Sequence, residues 1–198
     1  MSNSINSTRR LVGLAIFTAI VMVLQVVATF VKPGAFPLNL TLIPIVVGAA
    51  IYGPGAGAFL GGVFGFVVVF ATVTGGDASA YIMFSARPFV TILLIMVKGI
   101  LAGYCAGLVY RLFEANRPYW GVVVSAVVAP VVNTGIFCLS MALFYRELLI
   151  QWAGGTSLVY FAIFGLTGVN FLMELGINMV LSPVIVRIIH IGKKELKA

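Results

Sequence analysis

The sequence predicts an all-α integral membrane protein, a compact bundle of six transmembrane helices with both termini cytoplasmic. Three observations predict it. Of 198 residues, 62% are hydrophobic and only 9% charged, against about 25% charged residues in a soluble domain. The mean hydropathy of +1.16 is too high for a chain with a water-facing surface. The length then suits six crossings of about 20 residues each. A secreted enzyme, a cytosolic domain and a disordered segment are excluded. The chain reads as one transmembrane domain over residues 1–198, with short tails at about 1–10 and 190–198.

The first apolar run, residues 11–31, follows Arg9-Arg10 and ends at Lys32-Pro33-Gly34. It exceeds the roughly 7–15 residues of a signal peptide's apolar region, and more spans follow, so it reads as a retained helix. The second run, 40–52, is cut by Gly53-Pro54-Gly55, and the third covers 56–73. Thr74-Gly75-Gly76-Asp77 then opens a longer loop. Pro88, well suited to a helix's first turn, starts the fourth span, 88–111. A turn at 114–118 leads to the fifth, 120–145, and residues 157–161 approach the sixth, 163–189.

With six spans, the termini share a side with the turns at Gly53 and at 114–118. That side carries Arg9, Arg10, Arg111, Arg117, Arg187, Lys193, Lys194 and Lys197, whereas the opposite side has Lys32, Arg87 and Arg146. Lys and Arg near span ends mark the cytoplasmic face, which places both termini there. The net charge of +7 therefore belongs to anchoring in the lipid bilayer, and no nucleic-acid partner is expected. The opposite loops, 74–87 and 146–162, carry Tyr81, Met83, Phe84, Trp152 and Tyr160. Singly these are interfacial anchors; together they look like a lid over one end of the bundle.

Small residues recur every fourth position at Gly57, Gly61 and Gly65 in the third span and at Gly99, Gly103 and Gly107 in the fourth. Such faces let backbones approach closely, and these are expected to pack within the chain. Ala15 and Ala19 repeat the pattern in the first span, either for this chain's own helices or for another subunit. The string Gly53-Pro54-Gly55-Ala56-Gly57 lacks the Lys-Ser/Thr of a phosphate loop. Cys105 and Cys138 sit in apolar runs, without the spacing of a metal site or a disulfide framework.

Charge inside the hydrocarbon is the most informative feature. Lys98 and Glu174 each lie about ten residues into a helix that starts on the outer side, so at about 1.5 Å per residue they share a depth. Each costs about 2.5–3.5 kcal/mol at mid-membrane unless it pairs or faces a wet cavity. Thr167, Asn170, Asn178 and Ser182 lie three or four residues apart around Glu174 and share one helix face. Asn133 and Thr134 follow Pro130 at mid-depth in the fifth span. Two readings stand: an interhelical clamp holding spans four to six, and a polar pocket for a small solute with that clamp as its floor.

Catalysis is poorly served. His190 lies at the cytoplasmic end of the last span, far from Ser140, and Asp77 is the only aspartate. Nucleophilic, zinc and phosphoryl chemistry need clusters that this chain lacks. No enzyme activity, metal or cofactor is expected.

The order of several stretches is similar to that of a known family. They are Ala15-x-x-x-Ala19, residues 40–58 (LTLIPIVVGAAIYGPGAGA), 98–111 (KGILAGYCAGLVYR), 129–137 (APVVNTGIF) and 170–188 (NFLMELGINMVLSPVIVRI). Together with size and orientation they resemble the substrate-binding (S) subunits of energy-coupling factor (ECF) vitamin transporters. That resemblance implies a vitamin binder of a bacterial cell membrane, without its own energy source. It would dock on a transmembrane coupling subunit carrying two ATPase subunits, and topple to release substrate inward. The family's docking face maps onto Ala15 and Ala19; Val23 stands where a third small residue would extend it. Substrate would sit near the outer surface, beneath residues 32–39 and among helices four to six.

The resemblance is strongest to members assigned to pantothenate, with riboflavin, folate and other B vitamins as the remaining choices. Arg87, cationic and at a helix start on the outer side, is placed to meet a carboxylate. Asn133 and Asn170 suit amide and hydroxyl groups, with Lys98 and Glu174 deeper. Two other classes stay open: a membrane assembly subunit with no saturable ligand, and a stand-alone proton-coupled carrier in which Glu174 titrates. A carrier with inverted repeats has two similar halves, and this sequence shows no convincing repeat.

Overall fold

A computed structural model of the protein describes residues 2–30, 40–166 and 168–197, with no strand among them. The helices are α1 (Ser2–Phe30), α2 (Leu42–Tyr52), α3 (Pro54–Val73), α4 (Ala78–Ala86), α5 (Pro88–Glu114), α6 (Pro118–Phe144), α7 (Arg146–Ala153), the short α8 (Leu158–Tyr160) and α9 (Gly168–Lys197). A π-helical stretch, Phe161–Leu166, precedes α9. Among the described residues, α1, α3, α5, α6 and α9 each contain an apolar segment long enough to cross a membrane. The chain is thus a multi-pass membrane protein.

One span is shorter than the others, and one expectation needs correction. The second span is a helix of 11 residues, only about 16 Å at 1.5 Å per residue and about half of a 30 Å hydrocarbon layer. It tolerates this because it is an interior helix: it packs against α1, α3, α5, α6 and α9, and Leu42, Ile45, Val46 and Val47 are all buried. The loops 74–87 and 146–162 are also not plain loops, since they contain α4 and α7. Helices of 9 and 8 residues are too short to show a clear period. Their signals are caps: the Asp77 side chain accepts from Ala80 N at the start of α4, and α7 stops at Gly154, whose φ of 54° is left-handed.

The α3–α5 pairing follows the glycines. A Cβ on Gly61 or Gly103 would land on the carbonyl oxygen of Gly99 or Gly57 respectively, so the antiparallel backbones meet where only glycine fits. On the same faces, Ile45 of α2 sits at Gly103, and Ala49 sits at Gly57 and Gly107. α2 runs parallel to α5 in this register and begins at the level of Gly99, beside Lys98.

α6 is held on both flanks by side chains reaching carbonyls. Ser125 Oγ donates to Ala106 O of α5 at 2.9 Å. On the other flank, Pro130 has no N–H to give to the carbonyl four residues earlier, that of Ala126. Asn178 Nδ2 of α9 donates to Ala126 O instead, at 3.0 Å. Ser182 Oγ returns to Asn178 O at 2.8 Å.

One end of the bundle holds the Gly53 turn, where Arg10 Nη2 donates to Tyr52 O at 3.2 Å and the Arg111 guanidinium also lies. The other, the Asp77 end, is closed by α4, α7 and α8. Met83, Leu94, Phe137, Met141, Tyr145 and Leu149 form its buried cluster, with Trp152, Leu158 and Phe161 packed on it.

Candidate functional site

The hydrogen bonds that clamp α6 also fix the depth of the polar side chains. Counting outward by equal steps from the Ser125–Ala106 bond brings Asn133 level with Lys98. The same count from the Asn178–Ala126 bond brings Glu174 level with Pro130, within one turn of Asn133. Lys98, Asn133 and Glu174 therefore occupy one layer at mid-depth, the layer in which α2 begins. Gln25 of α1 and Thr41, just before α2, border this region with a buried bond of 2.8 Å from Thr41 Oγ1 to Gln25 Oε1.

Within the layer, Asn133 is 2% and Glu174 3% exposed. Asn133 Oδ1 is buried and meets no hydrogen-bond donor among the described residues. The Lys98 stem carries its ammonium outward by about a turn, to 5.4 Å from the centre of the Phe137 ring, a cation–π distance. The Lys98 ammonium, Glu174 and the Asn133 amide oxygen lie beneath the apolar cluster of the Asp77 end.

The other expected residues are placed less centrally. Arg87 lies between α4 and α5 with an exposed side chain. Its carbonyl is the anchor of that corner: the hydroxyls of Thr91 and Tyr145 lie 2.9 Å and 3.2 Å from it and 2.7 Å from each other, so one hydroxyl donates to the carbonyl and the other donates within the pair. Burial pushes the Tyr145 phenol up, against smaller downward pulls from its bond to Thr91 and from the Arg87 charge; it remains a neutral donor at neutral pH. Asn170 belongs to α9, but its side chain falls outside the described residues, as do residues 32–39 and Thr167. Asn178 and Ser182, read from sequence as part of the polar stripe, are both buried: Asn178 clamps α9 to α6, and Ser182 bonds back to the Asn178 carbonyl within α9. Of the lid aromatics, Tyr81 and Tyr160 are exposed, while Met83 is buried and Trp152 packs on the cluster.

Sequence reasoning missed two participants. Asp77, 5% exposed, was legible only as a loop residue; an aspartate just before Ala-Ser-Ala is also an N-cap signal. Phe137 follows Asn133 by one turn on the same face, which identifies it once Asn133 is known to point inward.

Ala15 and Ala19 are both exposed, on the face of α1 that also exposes Leu11, Val12, Ile16, Val23 and Phe30. None of the other helices covers that face, so the alanine pattern does not serve packing within the described chain.

A helical multi-pass protein with a charged layer sealed at mid-depth and an uncovered small-residue face fits the class of membrane solute-binding proteins. The profile of a family described as ECF transporter, substrate-specific component, matches residues 9–186. The chain belongs to that family and is a substrate-specific component rather than an enzyme. No curated protein matches the chain.

Proposed function

We propose that this chain is the vitamin-binding S component of an ECF importer of a bacterial cell membrane. It captures a small water-soluble vitamin, pantothenate in the first instance, at the Asp77 end, which faces outside. Both termini and the Gly53 turn then lie in the cytoplasm, as the distribution of Lys and Arg requires. It delivers the vitamin inward when docked through Ala15 and Ala19 on a transmembrane coupling subunit with two ATPase subunits.

The observation that carries the binding reading is Asn133 Oδ1. A buried acceptor without a donor costs about 1–3 kcal/mol, and more where no water enters. A ligand hydroxyl or amide N–H removes that cost. Lys98, at the same depth, supplies the positive charge for an acid. Glu174 stabilises Lys98 from α9 and accepts hydroxyls, Asn170 adds a second amide from the start of α9, and Arg87 attracts the anion at the rim. Pantothenate joins a carboxylate, an amide and two hydroxyls in one small molecule, which matches this set of side chains.

Purification of the full-length protein from cells grown in rich medium, with mass spectrometry of what it retains, tests the reading. One vitamin at near-stoichiometric amount is expected, and calorimetry with pantothenate, riboflavin, folate, biotin and thiamine ranks the candidates. No retained molecule and no saturable binding of any of them would leave the polar layer as a helix clamp alone.

A further inference from the structure

α2 fills only the half of its lane next to the Gly53 turn, so its N-terminal tip lies inside the bundle at the level of Lys98. Packing is complete as far as this tip, with Thr41 and Leu42 both 0% exposed, and it loosens at Leu40, 36% exposed. The tip is uncapped. Thr41 is a residue of capping type, yet its side chain makes no cap bond and donates instead to Gln25 Oε1 of α1 at 2.8 Å. In the first turn, Pro44 has no N–H, and Ile43 N donates to Leu40 O at 3.2 Å. The Leu42 N–H is left at the end of the helix, where the backbone carries a partial positive charge.

Three side chains stand over the tip. On α6, Ala129, Asn133 and Phe137 follow one another at intervals of four, along one face. Ala129 is buried in the same cluster as Leu42, so Asn133, one turn further toward the Asp77 end, projects over the tip. Its Oδ1 is buried and meets no donor among the described residues. One more turn along, Phe137 carries the Lys98 ammonium at 5.4 Å from its ring centre. A buried backbone donor, an ammonium and an unmet acceptor thus converge above α2. The first two call for an anion, and the third for a hydroxyl or amide N–H.

We propose that the N-terminus of α2, together with Lys98, is the anion subsite of this protein: it takes the carboxylate of a small acid whose hydroxyl or amide N–H bonds Asn133 Oδ1. The assignment rests on the vitamin-binding reading above and narrows its substrate class to carboxylic acids. Two donors, the Leu42 N–H and the Lys98 ammonium, suit the two oxygens of a carboxylate, and a water-poor site strengthens both bonds. A neutral ligand brings no charge to either donor, so it is disfavoured. Gln25 is a positioning residue: by holding the Thr41 hydroxyl it keeps the cap from closing on the tip.

The test uses the full-length protein in lipid nanodiscs, as wild type, Thr41→Asn and Thr41→Asp. Asn and Asp cap equally well, and both give up the hydroxyl bond to Gln25, so the two variants differ by one charge at the tip. Without ligand, Thr41→Asp is expected to melt at or above Thr41→Asn, because its fixed carboxylate sits where an anion is called for. A buried carboxylate without such partners is strongly destabilising, and Glu174 of the same layer would repel it. Thr41→Asp melting well below Thr41→Asn, or failing to fold where Thr41→Asn folds, overturns the proposal.

With ligand, the probes are pantothenate and its uncharged alcohol analogue. Wild type favours the acid. The acid-to-alcohol affinity ratio falls by about tenfold or more from Thr41→Asn to Thr41→Asp, since the built-in carboxylate occupies the acid's place. An equal ratio in the two variants overturns the proposal. Wild type gives an independent check, because residues 41–42 are the only Thr-Leu pair in the chain. Isotope labels on threonine carbonyl carbon and leucine nitrogen therefore isolate the Leu42 amide resonance. Pantothenate is expected to move it clearly and the alcohol little; equal shifts overturn the assignment. If wild type binds neither probe, pantothenate is the wrong vitamin, and the ligand-free melts still decide whether the tip of α2 is an anion subsite.

Discussion

Asn133 is the residue at which the binding reading is tested most directly. Its Oδ1 is buried and meets no donor among the described residues, so Asn133→Leu removes that acceptor. The expected result is a melting temperature unchanged or raised, with vitamin affinity down by about tenfold or more. Lost stability with intact binding would make Asn133 part of the frame. Arg87 lies at the rim, with its guanidinium exposed and its carbonyl tied to Thr91 and Tyr145. Arg87→Ala keeps the carbonyl and loses only the charge. It is expected to weaken binding of an anionic vitamin by about tenfold, largely through slower association that salt also suppresses in wild type. Unchanged affinity and association rate would remove Arg87 from the site.

Elements are coupled here mainly by backbone groups that proline and glycine expose. Pro130 leaves the Ala126 carbonyl open and Asn178 fills it. Asn178→Ala should destabilise the protein by about 0.5–1.5 kcal/mol. Pro130→Ala lets the helix use that carbonyl itself, so adding it should recover much of the loss; strictly additive melts would mean the two residues act separately. The α3–α5 seam separates neighbouring glycines. Gly61→Ala drives a methyl into the Gly99 carbonyl, whereas at Gly62 the nearest atom outside α3, on Ile100, is 3.6 Å from the added Cβ. The first should fold poorly, and the second should be neutral or gain about 0.5–1 kcal/mol. α1 carries the proposed docking face: Ala15→Trp is expected to spare vitamin binding and to abolish copurification with the coupling subunit. A complex that survives the bulk would refute docking through Ala15 and Ala19.

For the whole molecule, reporter fusions at each terminus provide the topological check. Both should report a cytoplasmic location, and one on each side would contradict the charge-based orientation. The apolar part of each long helix was legible because apolar length is dictated by bilayer thickness and because Pro88, Gly53 and the turn before Pro118 punctuate the runs, whereas the polar ends that carry α1 back to Ser2 and α9 on to Lys197 were read as tails. The shared depth of Lys98 and Glu174 was legible too, since both helices start at the same face and rise equally per residue.

Sequence alone determined that this chain lives in a membrane, how many apolar runs it has, which charges interrupt those runs and which family order its motifs follow; these depend on composition, length and local period. Tertiary structure decided that α2 begins halfway, that α4 and α7 roof the Asp77 end, that Asn178 clamps α9 to α6 while the Asn133 amide oxygen meets no donor among the described residues, and that Ala15 faces outward. Each of these depends on which carbonyl or side chain from a distant segment arrives at a given depth. No local pattern carries that, because a polar side chain in a helix has the same spacing whether its partner is a backbone group, a ligand or another subunit.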